Sequence, residues 1–131
     1  MRLKHLHLTQ RQAQAGVLHA PASFLLVTEE RLLEVCNGCG AADSWFRPPK
    51  TIYGTLIIQA CIIHDWMYNE GNCIEDKQEA DRVFLNNMMR LIALDSVKWY
   101  KPTRLQRIRA CEYYRAVDLC GGTAFWVGKN T

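Results

Sequence analysis

The sequence predicts an all-α fold because apolar residues recur at helical spacing, helix-ending signals follow them, and no segment shows sustained strand alternation. We expect helices over these segments: 23–35, 57–70, 75–95 and 103–120. The last of them is expected to begin with a capping box formed by Thr103 and Gln106 and to stop at Gly121-Gly122. Residues 36–55 are rich in Gly, Asp and Pro and are predicted to form a long functional loop.

The composition indicates one globular domain preceded by a polar arm. A chain of 131 residues can bury one modest core, and 49% apolar with 22% charged residues is typical of a folded protein. Residues 1–22 are polar and unpatterned, so we expect a loosely ordered arm there and a single helical domain over 23–131. No apolar run resembles a transmembrane segment or a signal peptide, and the start of the sequence favours a cytoplasmic location.

The six cysteines are many for a chain of this size and admit two interpretations. They could pair as disulfides, in combinations among which the sequence does not choose. They could alternatively hold zinc, because Cys36 and Cys39 form a C-x-x-C motif. No second C-x-x-C and no H-x-x-x-H follows at zinc-finger spacing, which argues against zinc.

Two ionisable residues lie on the apolar faces of neighbouring predicted helices. His64 is in the middle of the apolar stripe of the helix over 57–70, and Asp81 is in line with the apolar stripe of the helix over 75–95. A short connection packs such helices antiparallel, and an unpaired buried carboxylate is costly, so we expect Asp81 to hydrogen-bond one nitrogen of His64. The other nitrogen can then accept a proton, as in a general base with its orienting carboxylate. A structural pair that only tethers two helices is the alternative.

Asp65 needs a separate explanation because neighbouring helical side chains point about 100° apart. We expect Asp65 to face the loop that begins at Cys36. A carboxylate that meets a Gly-rich loop with free backbone carbonyls could form a site for a hard cation such as calcium. The alternative is an aspartate on the helix surface without a specific role.

Several segments resemble the phospholipase A2 family, in particular its short bacterial and fungal secreted branch. Residues 61–68, C-I-I-H-D-W-M-Y, are similar to the C-x-x-H-D-x-x-Y signature of that family. Residues 37–40, N-G-C-G, resemble the loop that precedes the signature helix, and residues 80–84, A-D-R-V-F, resemble the segment that supplies the orienting aspartate. Residues 113–126 are similar to the last helix of the branch, and the resemblance as a whole covers residues 36–126.

The resemblance implies a small phospholipase A2-like domain in which two antiparallel core helices carry the site, after a Gly-rich loop and before a further C-terminal helix. It also implies a calcium-dependent hydrolase of the sn-2 ester of glycerophospholipids, acting at a membrane surface. His64 would be the general base that activates water, without a covalent intermediate. Asp81 would orient His64 and stabilise the imidazolium, and Tyr68 would support Asp81 by a hydrogen bond.

The resemblance further implies a metal site and one disulfide. Asp65 would ligate calcium together with loop oxygens near Asn37 and Gly38. The family bridges the loop cysteine to the helix cysteine, which corresponds to Cys39 and Cys61 here. Members of the family are usually secreted, in contrast to the cytoplasmic location that the start of this sequence favours.

A basic and aromatic segment follows the predicted helix over 75–95. It contains Trp99 and Tyr100 and these basic residues: Lys98, Lys101, Arg104, Arg107 and Arg109. An anionic lipid surface attracts each such basic side chain by about 1 kcal/mol, and Trp and Tyr favour the headgroup level. The alternative is a solvated basic face. The net charge of +3 is mild and no recognition motif is present, so we expect no nucleic-acid partner.

Two functions of different classes follow from these residues. The first is a calcium-dependent lipid esterase of phospholipase A2 type. The second is a catalytically inactive relative, in which the same scaffold binds a membrane or a protein. The first explains why His64, Asp81 and Asp65 should occur together, whereas the second needs only a structural contact between two helices.

Overall fold

Helices form most of the chain, as the sequence predicts. The computed structural model describes residues 3–36, 49–126 and 129, and within them it contains seven helices and one two-stranded antiparallel hairpin. In chain order the elements are α1 Leu3–Gln14, α2 Ala22–Leu26, α3 Glu29–Val35, β1 Thr51–Ile52, β2 Thr55–Leu56, α4 Ile58–Glu70, α5 Ile74–Asp95, α6 Thr103–Cys120 and α7 Gly122–Trp126. None of these helices has the length and apolar character that a membrane span requires.

The helices α4 and α5 form the centre of the fold. Near their short connection the Lys77 ammonium lies over the ring of Tyr68, and one turn further from it His64 contacts Asp81. This order of contacts shows that the two helices run antiparallel. Because α4 also contacts α1, α3 and α7, it is buried on most of its sides and supplies much of the apolar core.

The segment 1–22, expected to be a loose arm, contains a helix that packs on the core. Leu6 and Thr9 of α1 are fully buried and Ala13 nearly so, which gives α1 an inward stripe against α4. Thr9 can be buried because its hydroxyl donates to the carbonyl oxygen of His5 at 2.6 Å. The expectation fails here because a stripe that includes threonine and alanine does not look apolar in sequence.

A buried amide on α5 holds the segment that follows α1. Asn87 is fully buried, and its side chain accepts a hydrogen bond from the backbone N–H of His19 and donates one to the carbonyl of His19, both at 2.8 Å. This reciprocal pair satisfies the amide without water and docks the end of the N-terminal segment on α5.

The helix predicted over 23–35 is divided into α2 and α3. Val27 and Thr28 have extended backbone between the two helices, with ψ of 148° and 156°. The hydroxyl of Thr28 accepts a hydrogen bond from the backbone N–H of Arg31 at 3.3 Å and so caps α3. This local bond competes with the continuous helix that the apolar spacing predicts.

The loop predicted over 36–55 ends in the β1–β2 hairpin. Tyr53 and Gly54 connect the strands with φ of 46° and 83°, the signs of a two-residue type I′ turn. Strands this short show no alternation in the sequence. A tyrosine at the position where asparagine or aspartate is usual also hides the turn.

Gln106 does not form the predicted capping box. The α6 helix follows Pro102 without a side-chain cap. Gln106 is instead fully buried, and its amide nitrogen donates to the carbonyl of Ile52 at 3.0 Å and to the hydroxyl of Thr55 at 2.7 Å. Thr55 in turn donates to Asp95 at the end of α5, at 2.6 Å. A bond to the distant hairpin therefore replaces the local cap.

Candidate active site

The antiparallel packing of α4 and α5 brings His64 and Asp81 into direct contact. Nε2 of His64 lies 2.8 Å from Oδ1 of Asp81, and both residues are buried. This is the contact that the apolar stripes of the two helices predict, since an inward carboxylate requires a hydrogen-bond donor.

Asp81 accepts hydrogen bonds from three side chains. Besides His64, the hydroxyl of Tyr68 donates to Oδ1 at 2.6 Å and the ammonium of Lys77 donates to Oδ2 at 2.7 Å. We call these four residues the Asp81 cluster. Asp81 is 0% exposed, so the cluster supplies the interactions that water would otherwise make with its charge.

The cluster determines the charge state of Asp81 and His64. Burial would raise the pKa of Asp81, but hydrogen bonds from His64, Lys77 and Tyr68 outweigh it and hold the pKa below its usual value. Burial is the main influence on His64 and lowers its pKa, with Asp81 opposing this shift and Lys77 adding to it. At neutral pH the pair is therefore a carboxylate and a neutral imidazole, which is the state that a general base needs.

The His64 ring is held in place by two aromatic neighbours. Its centroid lies 4.1 Å from that of Tyr68 and 4.8 Å from that of Phe84, and 8% of the residue remains exposed. An ionised Asp81 carboxylate can only accept at this contact, which assigns the imidazole proton to Nε2 and makes Nδ1 the nitrogen that can accept another proton. The ring is thus fixed in orientation, with one nitrogen available for chemistry.

Tyr68 contacts Asp81 on one side and Phe125 of α7 on the other. Its ring meets that of Phe125 edge to face, with centroids 5.2 Å apart. A Cβ at position 121 would lie 2.5 Å from the Tyr68 hydroxyl, so Gly121 is required for this close approach. Burial, followed by its bond to Asp81, raises the pKa of Tyr68, which keeps the phenol protonated as a donor.

Lys77 is the member of the cluster that the sequence analysis missed. It lies one helical turn before Asp81, is 4% exposed, and also donates to the backbone carbonyls of Val117 and Asp118. A lysine is normally taken as a surface residue. Its i,i+4 spacing to Asp81 is the signal that could have identified it.

Asp65, the predicted calcium ligand, lies half-buried on α4. After burial, its charge is the second influence that raises the pKa of the Cys36 thiol, and that thiol donates to the carbonyl of Ile62 at 3.4 Å. Cys36 therefore lies on the face of α4 that carries Asp65, since positions three apart share a face. The other predicted ligands, Asn37 and Gly38, lie outside the described residues. Among those that are described, no group of three or more His, Cys, Asp or Glu could hold a metal ion.

The predicted Cys39–Cys61 disulfide stays a prediction. Cys61 is buried in α4, and Cys39 lies outside the described residues. Free thiols are present at these positions: Cys36, Cys73, Cys111 and Cys120.

The connection between α5 and α6 carries an exposed apolar tip, which we define as Val97, Trp99 and Tyr100. Val97 is 85% exposed and Trp99 is 92% exposed. The rings of Trp99 and Tyr100 meet edge to face, with centroids 5.9 Å apart. Large apolar side chains grouped on a surface in this way are typical of interaction sites.

The predicted basic residues near this tip differ in what they contact. Lys98 and Lys101 both form ion pairs with Asp95, each with an N–O distance of 3.0 Å. Arg109 pairs with Glu112 at 3.0 Å. The two remaining basic residues are exposed: Arg104 and Arg107.

Residues 45–100 match a family model described as a protein of unknown function (DUF1353). The matched segment is less than half of the chain of 131 residues, and it contains the whole Asp81 cluster and the apolar tip. No curated protein and no solved structure gives a significant match.

Proposed function

We propose that the protein is a calcium-dependent, phospholipase A2-like hydrolase that cleaves the sn-2 ester of glycerophospholipids. The observation that carries this proposal is the 2.8 Å contact between His64 Nε2 and Asp81 Oδ1, in surroundings that lower the pKa of His64. A neutral imidazole oriented by a buried carboxylate is suited to general-base catalysis. The resemblance of residues 61–68 to the C-x-x-H-D-x-x-Y signature supports an esterase of this type.

In this mechanism His64 takes a proton through Nδ1 from a water that attacks the ester carbonyl. The resulting imidazolium is stabilised by Asp81, whose Oδ1 already faces Nε2. Tyr68 donates to the same oxygen at 2.6 Å, so the carboxylate needs little reorganisation during the reaction. His64 then returns the proton to the leaving alkoxide, and no covalent intermediate forms.

Asp65 is the described residue best suited to hold calcium, with oxygens of Asn37 and Gly38 as further candidates. Its position on the same face of α4 as Cys36 puts a carboxylate beside the point where the chain continues to Asn37. Carboxylate, amide and backbone oxygens are the ligands that calcium prefers. Bound calcium would supply polarisation of the ester carbonyl and neutralise charge on the oxyanion.

Release of fatty acid from the sn-2 position of mixed zwitterionic and anionic vesicles tests this proposal. We expect the wild-type protein to release fatty acid in millimolar calcium and to stop when chelator is added. Asp65→Asn removes a charged ligand and should shift the calcium dependence to higher concentration. Glu70→Gln removes an exposed carboxylate from the same helix and should behave like the wild type. Folded wild-type protein without release at any calcium concentration would contradict the proposal.

A non-catalytic scaffold is the second candidate function, and the burial of the Asp81 cluster favours it. Lys77 and Asp81 are 4% and 0% exposed, and such buried ion pairs also occur as purely structural links between helices. In that case the apolar tip would be the functional surface. Replacing His64 would then alter stability without removing a reaction.

We further propose that the apolar tip contacts an anionic lipid surface together with Arg104 and Arg107. Trp and Tyr favour the headgroup level of a bilayer. Asp95, the acid beside the tip, is already paired with Lys98 and Lys101, so its charge repels anionic lipid only weakly. The proposed lipid contact includes fewer basic residues than the sequence predicts, because Lys98 and Lys101 form ion pairs with Asp95.

The tip follows the end of α5 at Asp95, which lies about 21 Å from Asp81 along the helix axis at 1.5 Å per residue. It would therefore tether the protein to the bilayer without forming part of the reaction site. Trp99→Ala should weaken binding to anionic vesicles and lower release from dilute vesicles. Hydrolysis of a dispersed short-chain phospholipid should stay unchanged.

Two further variants sharpen this experiment. Leu119→Ala truncates an exposed apolar side chain on α6 and should leave vesicle binding unchanged. The double variant Arg104→Glu and Arg107→Glu should weaken binding, with the largest difference at low salt. Equal vesicle partitioning of wild type and Trp99→Ala would exclude the tip as a lipid contact and favour a protein partner.

A further inference from the structure

Lys77 links the Asp81 cluster to the end of α6. Its Nζ donates to Oδ2 of Asp81 at 2.7 Å and to the carbonyls of Val117 at 3.1 Å and Asp118 at 3.2 Å. These contacts match the three donors of an ammonium group. The two carbonyls belong to the last turn of α6, where the helix dipole favours a cation, and the Val117 carbonyl also accepts the backbone N–H of Gly121 at 2.8 Å.

The carboxylate of Asp81 is held at both of its oxygens. Oδ1 accepts from His64 and Tyr68, whereas Oδ2 accepts from Lys77. Rotation of the carboxylate would break at least one of these bonds in a site without solvent, because Asp81 is 0% exposed. The hydrogen bond from Lys77 to Oδ2 therefore fixes the orientation of Oδ1, the oxygen that faces His64.

We propose that Lys77 is a positioning residue for His64: by holding Oδ2 of Asp81, it keeps the carboxylate ionised and Oδ1 turned toward the imidazole. His64 is thereby kept in the tautomer that carries its proton on Nε2 and has Nδ1 as the acceptor. The proposal deepens the proposed esterase function, in which Nδ1 is the proton acceptor.

Removal of the ammonium would change this arrangement in one of two ways. Oδ2 would become a buried carboxylate oxygen without a donor, which is unfavourable. The carboxylate would then rotate toward another donor or take up a proton. A protonated Asp81 can donate to Nε2 of His64, and a rotated one no longer offers a fixed acceptor. Either change allows the tautomer with the proton on Nδ1.

Nitrogen NMR of the His64 imidazole, at a pH where the ring is neutral, tests this inference. Wild-type protein should show the tautomer protonated on Nε2. Lys77→Met keeps an apolar stem of similar length without the charge and should show clear signals of the other tautomer. Lys77→Arg keeps the charge and should restore the wild-type spectrum. The matched control is Lys98→Met, which removes a surface lysine just after the end of α5. It should leave the wild-type tautomer of His64 unchanged.

The tautomer distinguishes positioning from a merely structural role. If Lys77 only ties α5 to α6, Lys77→Met would be less stable but would keep the wild-type tautomer, and that result would overturn the proposal. Lys77→Gln, whose amide can still bond the α6 carbonyls, provides a second neutral variant if Lys77→Met does not fold.

A measurement on the wild-type protein gives a further test. The Lys77 ammonium protons should exchange slowly enough with water to be observed, unlike those of the exposed Lys50. Rapid exchange at Lys77 would contradict the buried contacts on which the proposal depends. None of these readouts uses activity, so the absence of esterase activity would leave the result for Lys77 intact.

Discussion

Replacing His64 by glutamine should lower sn-2 fatty acid release by about 10²- to 10⁴-fold, the usual contribution of a general base. The glutamine amide can still donate to Asp81, so the cluster keeps a partner at this position. It cannot accept a proton at neutral pH, and the attacking water is left unactivated. Initial rates over a range of lipid concentrations should therefore show a loss in kcat with little change in KM.

The control for this variant is a histidine outside the site. His7→Gln replaces a histidine on α1 that pairs with Glu29, and its release rate should equal that of the wild type. Circular dichroism of both variants separates lost chemistry from lost folding. A folded His64→Gln protein with a rate close to that of the wild type would remove His64 from the mechanism.

Replacing Asp81 by leucine should lower the free energy of unfolding by about 3–5 kcal/mol, the usual cost of breaking a buried ion pair from one side. The variant leaves the Lys77 ammonium buried without a counterion, and His64 and Tyr68 lose their acceptor. Urea unfolding should show a lower midpoint with little change in the slope of free energy against urea.

The double variant Lys77→Met and Asp81→Leu is the matched control for this effect. It removes both charges together, and apolar replacement of a whole buried pair is often close to neutral. We expect it to recover the part of the lost stability that comes from the uncompensated lysine charge, while His64 and Tyr68 still lack their acceptor. Equal losses in the single and double variants would show that the uncompensated lysine charge is not the cause.

Acid unfolding provides a second measurement on the same residue. Because the folded pKa of Asp81 lies below its usual value of 3.8, its stabilising contribution is complete above that value. The contribution is lost as the pH falls through the folded pKa. Wild-type stability should therefore decline in this acidic range more steeply than that of Asp81→Leu.

The spacing of apolar residues by itself determines the centre of this fold. The helices predicted over 57–70 and 75–95 agree with α4 and α5 to within one residue at each end. The same spacing identifies His64 and Asp81 as residues that point inward. Since buried polar groups require partners, the contact between His64 and Asp81 follows from the sequence.

Signals in short segments were less informative. The α2–α3 break depends on one threonine cap, and the hairpin depends on a turn that contains Tyr53 in place of the usual residue types. At the first place the local cap interrupts the helix that the apolar spacing predicts. At the second place the residue types of the turn give no sign of a hairpin. The roles predicted for Asn37, Gly38 and Cys39 rest on the resemblance of their segment, and these residues lie outside the described part of the chain.

The burial of the other polar side chains depends on long-range contacts in the folded protein. Lys77 is buried because the chain returns forty residues later to present the carbonyl of Val117, and Gln106 is buried because the hairpin supplies the carbonyl of Ile52. The sequence of each helix determines which way a side chain points. Whether a charged or amide group can remain there depends on donors and acceptors that distant segments bring within hydrogen-bond distance.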